Sequence, residues 1–208
     1  MIDASWPTSS IFDGVAARVH TSNTPTRSLG VMSSLHGEGT TTVALGLALS
    51  LTGYDSSGVL LIDANWIRPE LSENADRLEA PGLAECLRGE RTLAETVVPA
   101  ARKGLSLLPA GDFAAEPPPL GRLSAFLAGA RASFGKVVID LPPVLVAPAL
   151  VVPWTKMVDQ SYLVVRRGAT PIAVIRRALV EIGSERSLHL VLNRTRVETA
   201  GWASRRAG

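Results

Sequence analysis

The residues best suited to chemistry begin with a glycine-containing turn at 36–39, "HGEG", between an apolar run and an alanine- and leucine-rich stretch. Glycines let backbone N–H groups turn inward around phosphate groups, and the N-terminus of the following helix attracts anions. The hydroxyl of Thr41 stands where a phosphate-binding loop holds Mg²⁺. The turn therefore predicts a nucleotide-binding site with six candidate residues: Gly37, Glu38, Gly39, Thr40, Thr41 and Thr42.

The same turn lacks the lysine of a complete phosphate-binding loop, because Thr40 occupies that position. The lysine of such a loop bridges the outer phosphates, and threonine has no positive charge with which to do so. A glycine turn followed by threonine is also an ordinary connection between a strand and a helix. The loop by itself leaves both interpretations open.

Two aspartates strengthen the interpretation as a ligand site. Asp63 ends the apolar run "VLLI", and Asp140 ends "KVVI". Open α/β sheets bind their ligands at the carboxyl ends of the strands, although a single carboxylate there often only caps the next turn. Two such carboxylates downstream of a glycine turn favour a ligand. Thr41, Asp63 and Asp140 are the candidate Mg²⁺ ligands, and the two aspartates are the catalytic candidates if the protein is active.

Apolar runs that suit buried strands alternate along the chain with helical patterns. This alternation predicts an α/β fold, a doubly wound and mostly parallel sheet with helices on both faces. The predicted strands are 29–34, 58–63, 105–110, 136–141, 161–166 and 189–194. The predicted helices are 40–53, 83–88, 119–133 and 170–183.

Length and composition predict one domain. A chain of 208 residues with 46% hydrophobic content suffices for one α/β core. We expect that domain at 28–195, after a loose lead-in at 1–27 with one short helix and before a C-terminal tail at 196–208. The tail is interpreted as solvated, with a contact between Trp202 and acidic lipid as the alternative.

Charge and cysteine content narrow the possible partners and the cellular compartment. The 21 Lys and Arg residues against 19 Asp and Glu leave a net charge of +2 without a long basic run, which argues against nucleic acid as a partner. A single cysteine, no recognisable leader and no apolar run long enough to span a bilayer predict a cytoplasmic protein.

The motifs together resemble a known family. In chain order they are "SSLHGEGTTT", "LLIDANWIRP", "PGLAECLRGE", "LSLLPAG", "VVIDLPPV" and "LVLNR". This order resembles the cytoplasmic nucleotide-binding domain of bacterial tyrosine kinases, which are partners of chain-length regulators in capsule and exopolysaccharide production. More distantly it resembles the MinD/ParA-type ATPases. The resemblance spans about residues 28–195 and implies a P-loop NTPase-like fold; the "DLPP" and "PGL" segments favour the polysaccharide branch.

Departures from the family pattern fall on the residues that would do the chemistry. Thr40 replaces the lysine, Asn65 replaces the second aspartate of the family's acidic motif, and His36 replaces a proline. The final residues, "ETAGWASRRAG", contain no tyrosine cluster, whereas active kinases of the family end in one. The resemblance therefore implies a degenerate site that binds ATP or ADP with Mg²⁺ weakly, or not at all.

Three functions follow from this resemblance. The first is a regulatory or scaffolding subunit with weak or no ATP hydrolysis, held at the inner face of the cell membrane by a polysaccharide chain-length or export protein or by glycosyltransferase machinery. The alternative is an active ATPase or tyrosine kinase of the same family, and the third is a MinD/ParA-like positioning ATPase. Whether the chain forms homo-oligomers stays open.

Overall fold

A computed structural model describes residues 10–22, 25–114, 118–183 and 187–194. The strands are β1 (Ser28–Ser33), β2 (Val59–Asp63), β3 (Val98–Pro99), β4 (Leu105–Leu108), β5 (Lys136–Asp140), β6 (Gln160–Arg166) and β7 (Ser187–Asn193). The α-helices are α1 (Ser10–His20), α2 (Thr40–Leu51), α3 (Glu70–Asn74), α4 (Leu83–Arg88), α5 (Leu93–Thr96), α6 (Leu123–Ser133), α7 (Pro148–Thr155) and α8 (Ile172–Ile182), and a 3₁₀ turn, Leu120–Arg122, precedes α6.

The strands form one seven-stranded sheet in the order β3-β4-β2-β5-β1-β6-β7. Every neighbouring pair is parallel except β3 with β4, which is antiparallel. The predicted α/β class and mostly parallel sheet are confirmed. Each of the six predicted strands is present, with ends that differ from the prediction by two residues at most.

Helices cover both faces of the sheet. Alternate residues of β2 show the division, since Leu60 and Ile62 pack in one apolar cluster while Val59 and Leu61 pack in the other. The first cluster includes residues of α4, α6, α7 and α8, and the second includes residues of α1 and α2. Burial on both faces explains why the central strands are continuous apolar runs.

Helix α1 lies within the segment that we expected to be a loose lead-in. The expected short helix is present, and its Ala16 and Val19 are buried against the domain. A Cβ atom added to Gly46 of α2 would overlap the ring of Phe12, which shows how closely the two helices approach. This part of the lead-in therefore packs on the sheet domain, whose N-terminal boundary stays a prediction. The predicted tail at 196–208 lies outside the described residues.

Sequence patterns did not predict the short elements α3, α5, α7 and β3. Helix α7 contains two prolines, but Pro148 stands in its first turn, where the missing N–H is not needed. Its Val151 and Trp154 are fully buried. Within the described part of the chain, no helix is both long and apolar enough to span a lipid bilayer.

Candidate nucleotide site

The glycine turn joins β1 to α2 and has the backbone shape that glycine allows. Gly37 has a φ of 79° and Gly39 a φ of 92°, both in the left-handed region that other residues rarely adopt. Gly39 immediately precedes α2, so the backbone N–H groups at the start of this helix are free of helical partners. The turn is therefore built like a phosphate-binding loop, as the residue types predict.

Glu38 shapes this loop with its side chain. Its Oε2 accepts hydrogen bonds from the backbone N–H groups of Ser34 at 2.7 Å and Leu35 at 3.1 Å. The hydroxyl of Thr170, just before α8, donates to its Oε1. Glu38 as a whole is 4% exposed and does not line the cleft beside the loop. Only the backbone of Glu38 is left as a candidate contact for phosphate.

Asp63 and Asp140 lie opposite one another where β2 and β5 end. The two residues are register partners in this parallel pair, and both are 0% exposed. Strands of a sheet are separated by about 4.8 Å, so the two carboxylates share one small buried volume. The Thr41 hydroxyl of α2 is close enough to Asp140 to affect its pKa, although the pair makes no hydrogen bond of normal geometry.

The Asp63 carboxylate is occupied by neighbouring donors. Its Oδ2 accepts hydrogen bonds from the backbone N–H of Ser72 at 2.9 Å and from the Ser72 hydroxyl at 2.7 Å. Its Oδ1 accepts a longer one, 3.2 Å, from the backbone N–H of Asn65. Burial nevertheless raises the pKa of Asp63 to about 6, because these bonds offset only part of the desolvation.

The Asp140 carboxylate has no such donors. Neither of its oxygens has a hydrogen-bond partner within the described part of the chain. Burial, followed by the neighbouring Asp63 carboxylate, raises the pKa of Asp140 well above its ordinary value. A buried carboxylate without partners is costly, and such groups often mark a place for a cation or an ordered water.

A cleft of about 220 Å³ opens between the loop and the ends of the strands. Its lining residues are Ser33, His36, Gly37, Gly39, Thr40, Thr41, Thr42, Asn65, Arg68, Glu70, Pro143 and Arg194. The predicted loop residues other than Glu38 line this cleft. Asp63 and Asp140 lie beneath the cleft. Asp63 contacts Asn65, and Asp140 is close to Thr41.

Sequence reasoning missed three charged residues of this cleft, Arg68, Glu70 and Arg194. The Nε of Arg68 lies 3.1 Å from Oε1 of Glu70, and the Arg68 side chain is 67% exposed. Arg194 directly follows β7, at the same edge of the sheet as the loop. The signal was available, since Arg68 follows the predicted strand 58–63 and Arg194 is the last residue of the predicted strand 189–194. A parallel sheet gathers ligand-binding groups at the carboxyl ends of its strands.

The arrangement fits a nucleotide with Mg²⁺ better than a metal ion alone. Among the described residues, no group of three or more His, Cys, Asp and Glu side chains is placed to hold a metal ion. Mg²⁺ bound with a nucleotide needs only one or two protein ligands, because phosphates and waters complete its shell. The unpartnered Asp140 carboxylate beside the Thr41 hydroxyl suits that role.

Solved structures of other proteins share this architecture. The VpsO kinase domain is 29% identical in sequence, with a TM-score of 0.79 over 90% of this chain and 94% of that one. The BceF tyrosine kinase domain is 26% identical, with a TM-score of 0.67 over 88% of this chain and 75% of that one. The chain has the fold of bacterial tyrosine kinase domains. The resemblance predicted from the motifs is confirmed.

More distant matches extend the fold to other nucleotide-binding proteins. Cobyrinic acid a,c-diamide synthase from Mycobacterium smegmatis, solved with a bound ATP analog and magnesium, is 23% identical, with a TM-score of 0.63 over 82% of this chain and 77% of that one. At this identity the likeness concerns the fold alone. No protein-family model matches the chain, and no curated protein matches it in sequence.

Proposed function

We propose that this protein is a regulatory or scaffolding subunit of the bacterial tyrosine kinase type, which binds ATP or ADP weakly and hydrolyses ATP slowly or not at all. One observation carries the proposal. The loop keeps its left-handed glycines beside Thr41 and Asp140, whereas Thr40 and Asn65 occupy the positions of the family's lysine and second aspartate. Parts that bind phosphate are retained, and parts that stabilise its transfer are replaced.

The missing lysine weakens transfer more than binding. A charge-assisted hydrogen bond contributes about 1.5–3 kcal/mol, so losing one or two from the transferring phosphoryl group costs about one to four decades in rate. The backbone N–H groups of the loop and the end of α2 would still hold phosphate, and Thr41 with Asp140 would face Mg²⁺. Bound Mg²⁺ would supply neutralisation of phosphate charge.

The described residues also give the cleft no unpaired carboxylate to accept a proton. Asn65 cannot serve as a base, and Asp63 lies below the cleft with its oxygens bonded to Ser72 and Asn65. Among the described residues that line the cleft, Glu70 is the only carboxylate, and it pairs with Arg68. A hydroxyl nucleophile would meet little help in this site.

The proposed setting rests on the family resemblance. It indicates exopolysaccharide or capsule synthesis and export, with a membrane-embedded chain-length or export protein, or glycosyltransferase machinery, as the partner on the cytoplasmic side. Large apolar side chains on the outer edge of the fold support a role in protein contacts: Ile172 and Val180 of α8 are 70% and 82% exposed, and Leu190 and Leu192 of β7 are 60% and 55% exposed.

The alternative of an active ATPase or tyrosine kinase has one observation in its favour. Arg68 and Arg194 bring positive charge to the cleft from outside the loop. The third candidate, a MinD/ParA-like positioning ATPase, has support from the fold alone.

Calorimetric titration with ATP and ADP, with and without Mg²⁺, tests the proposal alongside assays of ATP hydrolysis and tyrosine phosphorylation. We expect measurable binding and turnover at background. Gly37→Ala should abolish binding because Gly37 has a left-handed φ, whereas Gly129→Ala in α6 should not, although a Cβ atom would meet open space at both positions. Brisk hydrolysis by the wild type would favour the active enzyme, and absence of binding by folded protein would refute a nucleotide-dependent role.

A further inference from the structure

Arg194 lies in the cleft, and its position is set by β7, the strand at one edge of the sheet. Arg194 directly follows β7, which pairs with β6 and is separated from β1 by that strand. The preceding residue, Asn193, donates a hydrogen bond of 2.9 Å from its side-chain Nδ2 to the backbone oxygen of Glu38. A Cβ atom at Gly39 would overlap the Asn193 amide, so the end of β7 lies directly against the loop.

The backbone of Arg194 is held in an uncommon conformation. Its φ is 57°, in the left-handed region, and its N–H donates a hydrogen bond of 2.7 Å to Oδ1 of Asn193. Few residues other than glycine adopt this region, and those that do cluster at functional sites. The same asparagine side chain thus binds the loop with its nitrogen and fixes Arg194 with its oxygen.

The guanidinium group of Arg194 is available to a ligand. Arg68 is already neutralised in part, because its Nε lies 3.1 Å from Glu70. The Arg194 side chain is exposed, and within the described ranges no carboxylate or other group bonds its guanidinium. Thr40, in the place of the lysine, brings no charge to the same cleft.

We propose that Arg194 binds nucleotide phosphate in place of the loop lysine, with Arg68 as a weaker second cation. This inference rests on the proposed nucleotide binding and names a residue responsible for it. A guanidinium has several N–H donors in a fixed plane, which match two oxygens of a phosphate at once. The lysine of a P-loop lies in the loop itself, whereas Arg194 directly follows β7. The positive charge is therefore restored from the end of another strand.

Calorimetric titration with Mg-ATP and with tripolyphosphate tests the role of Arg194. Arg194→Ala should weaken binding of both by about tenfold to a hundredfold, the effect of one charged hydrogen bond. Arg194→Gly should weaken it equally, although glycine relieves the left-handed backbone, and Arg194→Lys should retain part of the affinity. Arg177→Ala, which removes an exposed arginine from α8, is the matched control and should change affinity by less than about twofold.

A second comparison separates charge replacement from a general effect on the cleft. In a Thr40→Lys background the loop has its lysine again, so Arg194→Ala should weaken binding much less than it does in the wild type. An equal loss in both backgrounds, or no loss in folded Arg194→Ala and Arg194→Gly, would overturn the role of Arg194 while leaving nucleotide binding intact. Absence of binding by the wild type would overturn the proposed function and this inference together.

Discussion

Thr40 is the first residue of α2, and only 8% of it is exposed at the junction of loop and helix. The side chain that replaces the family's lysine is therefore packed into the junction. Binding and turnover depend on this position to different degrees, because backbone N–H groups contact phosphate whichever side chain is present. Restoring the lysine should therefore change nucleotide binding and turnover by different amounts.

We expect Thr40→Lys to strengthen Mg-ATP binding about tenfold to a thousandfold, in line with one or two charged hydrogen bonds. Hydrolysis should recover less than binding, because Asn65 still lacks a carboxylate. Thr40→Lys with Asn65→Asp should recover more hydrolysis than the two single changes added, since both act on one transition state. Calorimetry and phosphate release measure these effects, and additive rates in the double variant would contradict the prediction.

Asp140 provides a second test at the scale of one residue. The pKa of Asp140 is raised in the folded protein, so the folded state holds this proton more tightly than the unfolded chain does, and stability falls as pH rises above the ordinary pKa near 3.8. Asp140→Asn removes that effect. Without ligand it should stabilise the protein by about 1–3 kcal/mol at pH 8 and by less towards pH 4, while weakening Mg-ATP binding.

Denaturant unfolding at roughly pH 4.5, 6 and 8, all above the ordinary pKa of an aspartate, measures the effect of Asp140→Asn. Asp13→Asn is the matched control, because Asp13 is an exposed carboxylate of α1 and should leave stability within about 0.5 kcal/mol of the wild type. A loss of stability on Asp140→Asn at pH 8 would mean that the ionised carboxylate is stabilised in the folded state.

Among the elements, α3 links the buried Asp63 of the site to the end of a second strand. It has five residues, too few to form a stable helix in isolation. Its Ser72 donates to Asp63 at the end of β2, and the Ser72 hydroxyl accepts a hydrogen bond of 2.9 Å from the backbone N–H of Ala110 beyond β4. One buried serine therefore links two strand ends.

Ser72→Ala should destabilise the protein by about 1–3 kcal/mol, because the buried N–H of Ala110 loses its partner and Asp63 loses a donor. The pKa of Asp63, already about 6, should rise further. Denaturant unfolding and carboxyl-carbon NMR titration measure the two effects. Ser133→Ala on α6, where the hydroxyl is exposed, should cost less than about 0.5 kcal/mol, and an equally small cost at Ser72 would show that the link is dispensable.

At the scale of the whole molecule, the cleft is assembled from distant parts of the chain. The β1–α2 loop, the turn after β2 and the residue after β7 all line it, although β2 and β7 are separated by three other strands in the sheet. A ligand in the cleft would contact several elements at once. Binding should therefore oppose unfolding of the entire domain.

Mg-ADP at about a hundredfold above its Kd should stabilise the folded protein by about 2.7 kcal/mol. For a domain of this size that corresponds to a rise in Tm of about 5–10 °C. Asp140→Asn should start from a higher Tm without ligand and gain less from Mg-ADP at the same concentration. Thermal unfolding followed by circular dichroism measures both, and binding without any rise in Tm would place the ligand on the unfolded chain as well.

The sequence by itself determined the class of fold and most of the loop. The central strands are buried on both faces, so their apolar runs stand out without knowledge of their neighbours. The left-handed backbone of the turn requires Gly37 and Gly39, and Asp63 and Asp140 are the last residues of their strands. These features depend on nearby residues, which is why periodicity and residue type were enough to predict them.

Tertiary structure alone decided the strand order, the partners of each carboxylate and the charge of the cleft. Nothing local distinguishes Asp63, which Ser72 binds from nine residues away, from Asp140, whose oxygens have no partner among the described residues. Short elements such as α3 and β3 form because packing stabilises them, not because their sequences favour them. Asn193 bonds to the loop, and Arg194 lies in the cleft, only because β7 pairs beside β6. Contacts between residues so far apart in sequence are set by the folding of the whole sheet.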